Sequence, residues 1–346
     1  MAMEEVMVPK PLMVSIEEEH KSCVNYAFRC SLDNSRDKNL VCVTSGNSYL
    51  GSHIAKALLA RGYLVRVTIQ NREDYEDMKK LMREEVINQL ESVVVAKMGN
   101  LDRLCDAFRG CHAIFHTSSF IDPHGVSGYS GQMAFLETEG AKNVIEACGR
   151  AAYAKRCIFT SSLLASVWTG DSENKVIDEF SWSNVEFCRE NKLWLALGKT
   201  TAEMACWRKA KEMKVNLVTV CPGLLMDSSA CQDSSIPYLK GGKDMLKNGH
   251  LAIEDVEKAA EAHVFVYEAM DNGAGGRYLC FGNVIRKRSE AIELENRLKI
   301  QGMLSGGGSH EVLNEEEDAE VTSMLSNAKL VRLIQASKRF SCKLEV

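Results

Sequence analysis

Ser45, Ser48 and Gly51 stand three residues apart in the turn Thr44-Ser45-Gly46-Asn47-Ser48-Tyr49-Leu50-Gly51. This is Gly-x-x-Gly-x-x-Gly spacing, the arrangement that cradles a dinucleotide pyrophosphate. In such a turn one glycine makes the tight bend, one lets backbone approach the phosphates, and one packs helix on strand. Here only the last position is glycine, and Gly46 is displaced by one. A serine is small and its hydroxyl can donate to a phosphate, but its Cβ resists a positive φ. The candidate cofactor-binding set is Ser45, Gly46, Ser48, Tyr49, Leu50 and Gly51, the last three opening the helix whose N-terminus would face the anion. A βαβ unit whose cofactor site has eroded accounts for the same residues.

A second chemical signal follows at Thr68-Ile69-Gln70-Asn71-Arg72. No acid stands directly at the end of this apolar run to take a ribose 2′-hydroxyl. Arg72 can meet a 2′-phosphate, which favours NADP over NAD, against the local repulsion of Glu73 and Asp74 for the same phosphate. A solvated loop charge is the alternative for Arg72.

These residues need a frame. Residues Leu40 to Ile69 read as strand, turn of small residues, amphipathic helix, Gly62 stop and second strand. Further strands are expected at Val93–Ala96, Ala113–His116, Cys157–Thr160 and Leu217–Cys221, in addition to Val41–Thr44 and Val65–Ile69. Helical spacing recurs between them at Leu50, Ile54, Ala57 and Leu58, at Leu101, Leu104, Cys105 and Phe108, and at Val144, Ile145 and Cys148. Alternation of this kind predicts an α/β fold, a Rossmann-type doubly wound parallel sheet with helices on both faces. The pattern loosens after Pro222. The expected organisation is a polar N-terminal extension (1–38), a Rossmann core (39–225), a smaller substrate lobe (226–300), then a Gly-rich joint at Gly306-Gly307-Gly308-Ser309, an acidic run from Glu315 to Glu320, and a helix over Val321 to Phe340.

Composition sets the limits. The 346 residues, 45% hydrophobic, suffice for one large core or two unequal lobes. A net charge of −5 without a basic stripe argues against nucleic acid as a partner. No apolar run reaches membrane-span length, and Met1 to His20 is acidic and broken by Pro9 and Pro11, so the cytoplasm is the expected compartment. The 13 cysteines are scattered without a Cys-x-x-Cys pair, and Cys42, Cys157, Cys221 and Cys280 fall inside apolar runs. Small buried thiols are expected there, with no metal site. No hydrophobic interface pattern stands out, which leaves a monomer as the default.

Further segments fall in a recognisable order: Phe159-Thr160-Ser161-Ser162, Lys192-Leu193-Trp194-Leu195-Ala196-Leu197-Gly198-Lys199 before an Ala-rich helix over Thr200 to Lys211, Val220-Cys221-Pro222-Gly223, Tyr238-Leu239-Lys240-Gly241, Asp255-Val256, Ala262-His263-Val264 and Gly276-Arg277-Tyr278-Leu279-Cys280. Over residues 39 to 295 the chain resembles the extended short-chain dehydrogenases/reductases, and within them the plant cinnamoyl-CoA reductase and dihydroflavonol reductase group. The resemblance implies hydride transfer from NADPH to a carbonyl or thioester carbon of a phenylpropanoid-type small molecule, such as an aromatic CoA ester.

Such a step needs a donor for the oxygen that becomes negative. The resemblance assigns this to a Tyr, activated by a Lys four residues later, with a Ser on the same oxygen. Lys199 matches the Lys, where it is also expected to contact the cofactor's nicotinamide ribose, with a surface charge at a helix start as the alternative; Ser162 matches the Ser, while the Tyr position is Leu195. Leucine has no proton to give. Removing one oxyanion donor costs a factor of about 10² to 10³, and losing the proton donor adds about 10² to 10⁴. The resemblance also places Asn100 and Leu101 at an adenine contact where Asp-Leu is usual, Gln70 where an Arg usually meets the 2′-phosphate, and Cys188 and Ser181 at a paired-cysteine site, which makes a pocket disulfide unexpected. Thr117, after His116, should line the cofactor cleft as strand C-ends do. His116 reads more simply as a satisfied half-buried histidine, Asp255 and His263 as structural, and Ser162 has the alternative of capping its loop. Substrate contacts are expected from 118–131 and 227–248. Two functions follow: a slow NADPH-dependent reductase, or a non-catalytic NADP(H)- or ligand-binding homologue.

Overall fold

The computed structural model describes residues 13–14, 40–117, 130–170, 176–226, 242–300 and 324–341. In chain order the strands are β1 (Met13–Val14), β2 (Leu40–Val43), β3 (Leu64–Ile69), β4 (Ser92–Val95), β5 (Ala113–His116), β6 (Arg156–Thr160), β7 (Val176–Ile177), β8 (Asn216–Pro222), β9 (Leu224–Met226), β10 (Ala252–Asp255), β11 (Gly276–Cys280), β12 (Asn283–Val284) and β13 (Met324–Leu325). The main sheet has the order β1-β4-β3-β2-β5-β6-β8-β11, and every pairing in it is parallel. The six expected strands are all present, within a residue or two at each end. The strand order reverses between β2 and β5, so a crevice opens outside their C-terminal ends.

Period-two alternation decides which layer each strand residue enters. Val41 and Val43 join one core layer and Cys42 the other; Ile158 lies opposite Cys157 and Phe159, and Val218 opposite Leu217. The helices Tyr49–Ala60 and Val256–Ala269 cover the first face, and Gly131–Arg150 and Trp194–Met213 the second. Cys42, Cys111, Cys148, Cys157 and Cys206 are thus core residues of the second layer, free and fully buried. Burial pushes the Cys148 and Cys206 thiols well above their usual range.

Two expectations change in detail. The helix expected from Thr200 begins at Trp194, which brings Leu195 and Lys199 onto it as an i,i+4 pair. Lys214 closes it in a left-handed cap. Within the expected smaller lobe, whose elements the sequence left open, Ala252–Asp255 is a strand, pairing with β9 and β12 in a small three-stranded sheet. The C-terminal helix spans Ala328–Ser341, preceded by β13, which pairs with β7. The Gly-rich joint, the acidic run and nearly all of the N-terminal extension lie outside the described residues, apart from β1, which pairs with β4. Residues of the expected smaller lobe contribute β10 and β12 to the small sheet and β11 to the main one.

Candidate functional site

The turn after β2 is built by close approach. Ser45 adopts φ 52°, a left-handed conformation that favours glycine, so the strain expected from a serine here is present. Its amide donates to Thr68 Oγ1 at 3.3 Å, and the Gly46 amide donates to the Thr68 carbonyl at 2.8 Å. Gly46, off the expected spacing, has a packing role of its own: a Cβ there would lie 2.7 Å from Val67 Cβ. At Gly51 a Cβ would lie 2.4 Å from the Ser45 carbonyl oxygen and 3.0 Å from Thr117 Oγ1. The turn, the helix start and the end of β5 therefore leave a space that only glycine fits, as a pyrophosphate cradle requires.

Ser48 is the N-cap of the Tyr49–Ala60 helix, its hydroxyl accepting the Gly51 amide at 3.0 Å. The Ser48 O–H proton remains available to a phosphate oxygen. Tyr49 and Leu50 form the first turn, where orphan amides and the helix dipole favour an anion. Thr117 donates its hydroxyl to the Thr44 carbonyl at 2.5 Å, and its amide to Thr44 Oγ1 at 3.1 Å. These bonds stitch β2 to β5 at the point where the strand order reverses. The residues present fit a dinucleotide pyrophosphate.

Arg72 is exposed on the loop after β3. The amides of Gln70 and Asn71 in that loop are taken by Asp74 Oδ2 at 2.9 and 3.2 Å. Asn100 is exposed and caps the Leu101–Ala107 helix by accepting the Arg103 amide at 3.1 Å. Its side chain thus has a local structural partner, and Leu101 follows as the first helical residue. Ser162 also caps, its hydroxyl accepting the Leu164 amide at 3.2 Å. The alternative stated for Ser162, a hydroxyl that caps its loop, describes what that side chain does here, whereas the capping role of Asn100 was not expected.

Lys199 lies one helical turn beyond Leu195, which is half-buried among apolar neighbours. Its ammonium meets Glu137 Oε1 at 2.6 Å, with the two side chains 13% and 5% exposed. Glu137 was not a sequence candidate. It sits in the inward stripe Ala134, Glu137, Ala141, Val144 of its helix, and an acid in a core stripe was the available signal. His116, at the end of β5, is buried and hydrogen-bonded through Nδ1 to Thr44 Oγ1 at 3.0 Å. Burial, with the Lys199 charge second, pushes its pKa down to about 3. The satisfied-histidine reading holds, and the ring is more deeply buried than expected.

Behind Ser162 lies a second buried group. Ser161 donates to Glu203 Oε2 at 2.6 Å, Thr219 donates to Glu203 Oε1 at 2.7 Å, and Arg277 Nε donates to the same oxygen at 2.8 Å. Arg277 also reaches Ser166 Oγ at 2.9 Å and the carbonyl of Ser181, under the face of Trp182. Thr160 Oγ1 meets His263 Nε2 at 2.9 Å while His263 Nδ1 donates to the Ala259 carbonyl at 2.7 Å, which makes Nε2 the acceptor in a neutral ring. Asp255 caps the Val256–Ala269 helix. Each side chain thus has a structural partner. Cys188 is a free buried thiol, and Ser181 bonds Asp178. The segments 118–129 and 227–241, expected to supply most substrate contacts, lie outside the described residues. Among the described residues no helix is long and apolar enough to cross a membrane.

Residues 42–219 match the 3-beta hydroxysteroid dehydrogenase/isomerase family. The chain is 34% identical over 266 residues to cinnamoyl-CoA reductase 1 of Petunia hybrida, covering 74% of this chain and 76% of that protein. The crystal structure of vestitone reductase from alfalfa (Medicago sativa) superposes with a TM-score of 0.63 at 26% identity, over 85% of this chain and 91% of that one. Yeast methylglyoxal/isovaleraldehyde reductase Gre2, complexed with NADPH, shares the fold with a TM-score of 0.63 at 18% identity, over 86% and 93% of the two chains.

Proposed function

We propose, because the chain belongs to the 3-beta hydroxysteroid dehydrogenase/isomerase family within the extended short-chain dehydrogenases/reductases, that it binds NADP(H) and reduces an aromatic CoA thioester or related phenolic carbonyl slowly. The reading is carried by one observation. The helix that presents Lys199 presents Leu195 one turn earlier, where the related reductases would need a phenol.

NADPH, when bound, supplies hydride to the carbonyl or thioester carbon. The turn Ser45, Gly46, Ser48, Tyr49, Leu50 and Gly51, with Thr117, would hold the pyrophosphate at the helix start. Arg72 would meet the 2′-phosphate, and Asn100 with Leu101 would border the adenine. Ser162 is the remaining hydroxyl for the substrate oxygen, and Lys199 the remaining cation. Leu195 lines the position with apolar surface and delivers no proton. On this arithmetic turnover falls by at least about 10² to 10³ relative to a site with the donor.

A second reading is a non-catalytic NADP(H)- or ligand-binding homologue. It is favoured by the Lys199–Glu137 ion pair, which already satisfies the cation. The test is a pair of measurements on the full chain. NADPH binding is read by nucleotide fluorescence, and turnover with cinnamoyl-type CoA esters and aldehydes by NADPH oxidation. The slow-reductase reading expects micromolar binding, weak turnover, and a gain in L195Y. Binding with no turnover in either form selects the second reading. No binding at all removes both, and ordinary turnover by the unaltered chain removes the weak-site argument.

A further inference from the structure

We propose that Glu137 is the positioning residue of Lys199: its carboxylate binds the ammonium inside the cleft and commits it to the Gly131–Arg150 helix rather than to a ligand. The proposal rests on the cleft being a nucleotide-dependent reductase site. It adds a second departure to Leu195, on a different helix.

The two helices are held in fixed register around this pair. A Cβ on Gly131 would lie 3.7 Å from the Trp194 ring. Thr138 Oγ1 and Thr201 Oγ1 meet at 2.8 Å, and Cys206 Sγ donates to the Ala141 carbonyl at 3.6 Å. Glu137 neighbours Thr138, and Lys199 lies two residues before Thr201. The carboxylate is 5% exposed, on a rigid helix, and points at Lys199 Nζ from 2.6 Å. A buried carboxylate is retained only with a partner, and a buried ammonium likewise.

The chemical consequence follows from charge. A lysine one turn from a phenol acts by its positive field, which favours the phenolate and eases proton transfer. Glu137 cancels much of that field at contact distance. In a site with Leu195 there is no phenol to polarise, and an unpaired Lys199 would stand as a half-desolvated cation. Glu137 supplies the missing counter-charge. Leu195, Lys199 and Glu137 therefore act as one apolar-plus-neutral constellation, and restoring a phenol alone leaves much of the field cancelled, so that L195Y gains less than E137Q/L195Y.

The test compares the unaltered chain, E137Q, L195Y and E137Q/L195Y, with E137A as a second variant and thermal melts to verify folding. Lys199 acylation by acetic anhydride, followed by peptide mass spectrometry without nucleotide, is expected to run about tenfold faster in E137Q and E137A, since the ion pair no longer engages the amine. In the double variant the introduced phenol, read by its ultraviolet tyrosinate band, should ionise about one pH unit lower than in L195Y. The alkaline shift of the pH–rate profile should move with it. Equal acylation rates in all folded variants, or the same phenol titration and pH profile in L195Y and E137Q/L195Y, would overturn the role of Glu137. Absence of NADPH binding in every variant, with acylation changed as expected, would reject the reductase reading and leave the ion pair intact.

Discussion

Glu203 and Arg277, 74 residues apart in the chain, meet at 2.8 Å with side chains 0% and 5% exposed. The pair ties β11 to the Trp194–Met213 helix, and through Ser161 to the loop that presents Ser162. Removing one partner leaves the other as a buried, uncompensated charge. R277M or E203L is expected to destabilise by about 3–5 kcal/mol, and E203L/R277M by less than either single change. Urea unfolding of the three variants checks this. A single change costing under about 1 kcal/mol would show that water already reaches the pair.

Gly51 is where the cofactor turn tolerates no side chain. G51A places a methyl 2.4 Å from the Ser45 carbonyl oxygen and 2.6 Å from Ser48 Oγ. It should abolish NADPH fluorescence enhancement and cost about 1–3 kcal/mol by overpacking. Gly99, where an added Cβ meets nothing within 4 Å, provides the matched control. Equal nucleotide binding by G51A and G99A would contradict the assignment of the turn.

The two serines of that turn should respond with opposite signs. Ser48→Ala removes the helix cap and should lose about 1 kcal/mol. Ser45→Gly removes a Cβ from φ 52° and should gain about 1 kcal/mol. Denaturant midpoints measured side by side decide it, and a loss in S45G would mean that the serine side chain contributes more than its backbone strain costs.

Acid should unfold the protein through its buried imidazoles. His116 and His263 have folded pKa values pushed to about 3 and about 4 by burial, below the 6.5 of a free imidazole. The unfolded chain therefore binds each proton first as pH falls. Stability is complete above about pH 6.5 and drops below it, down to about pH 4 for His263 and about pH 3 for His116, with a slope of up to about 1.4 kcal/mol per pH unit for each histidine. H263N should lower stability at pH 7 and flatten the slope between pH 5 and 6.5 by one such increment. An unchanged slope would move the acid sensitivity to other groups.

The parallel sheet was legible because strand residues facing two helical layers leave continuous apolar runs, and Val41-Cys42-Val43 shows both faces in three residues. The turn was legible for the same local reason: spacing along a few residues sets its shape. The strain at Ser45 was visible as a serine in a glycine place. Glu137 and Glu203 were harder. Each is an acid in an inward helical stripe, and periodicity marks it as misplaced without naming its partner.

The amino-acid order by itself determined the alternation of strands and helices, the absence of a phenol at Leu195, and the four-residue spacing of Leu195 to Lys199, because these depend on near neighbours, whereas the helix that puts both on one face begins earlier than expected. Only the tertiary structure decided what Lys199 touches. Its partner comes from a helix some 60 residues upstream, brought alongside by packing of Gly131 on Trp194 and Thr138 on Thr201. Charge pairing falls off with distance in space, not along the chain, so the counter-ion of a buried cation is settled when the layers close.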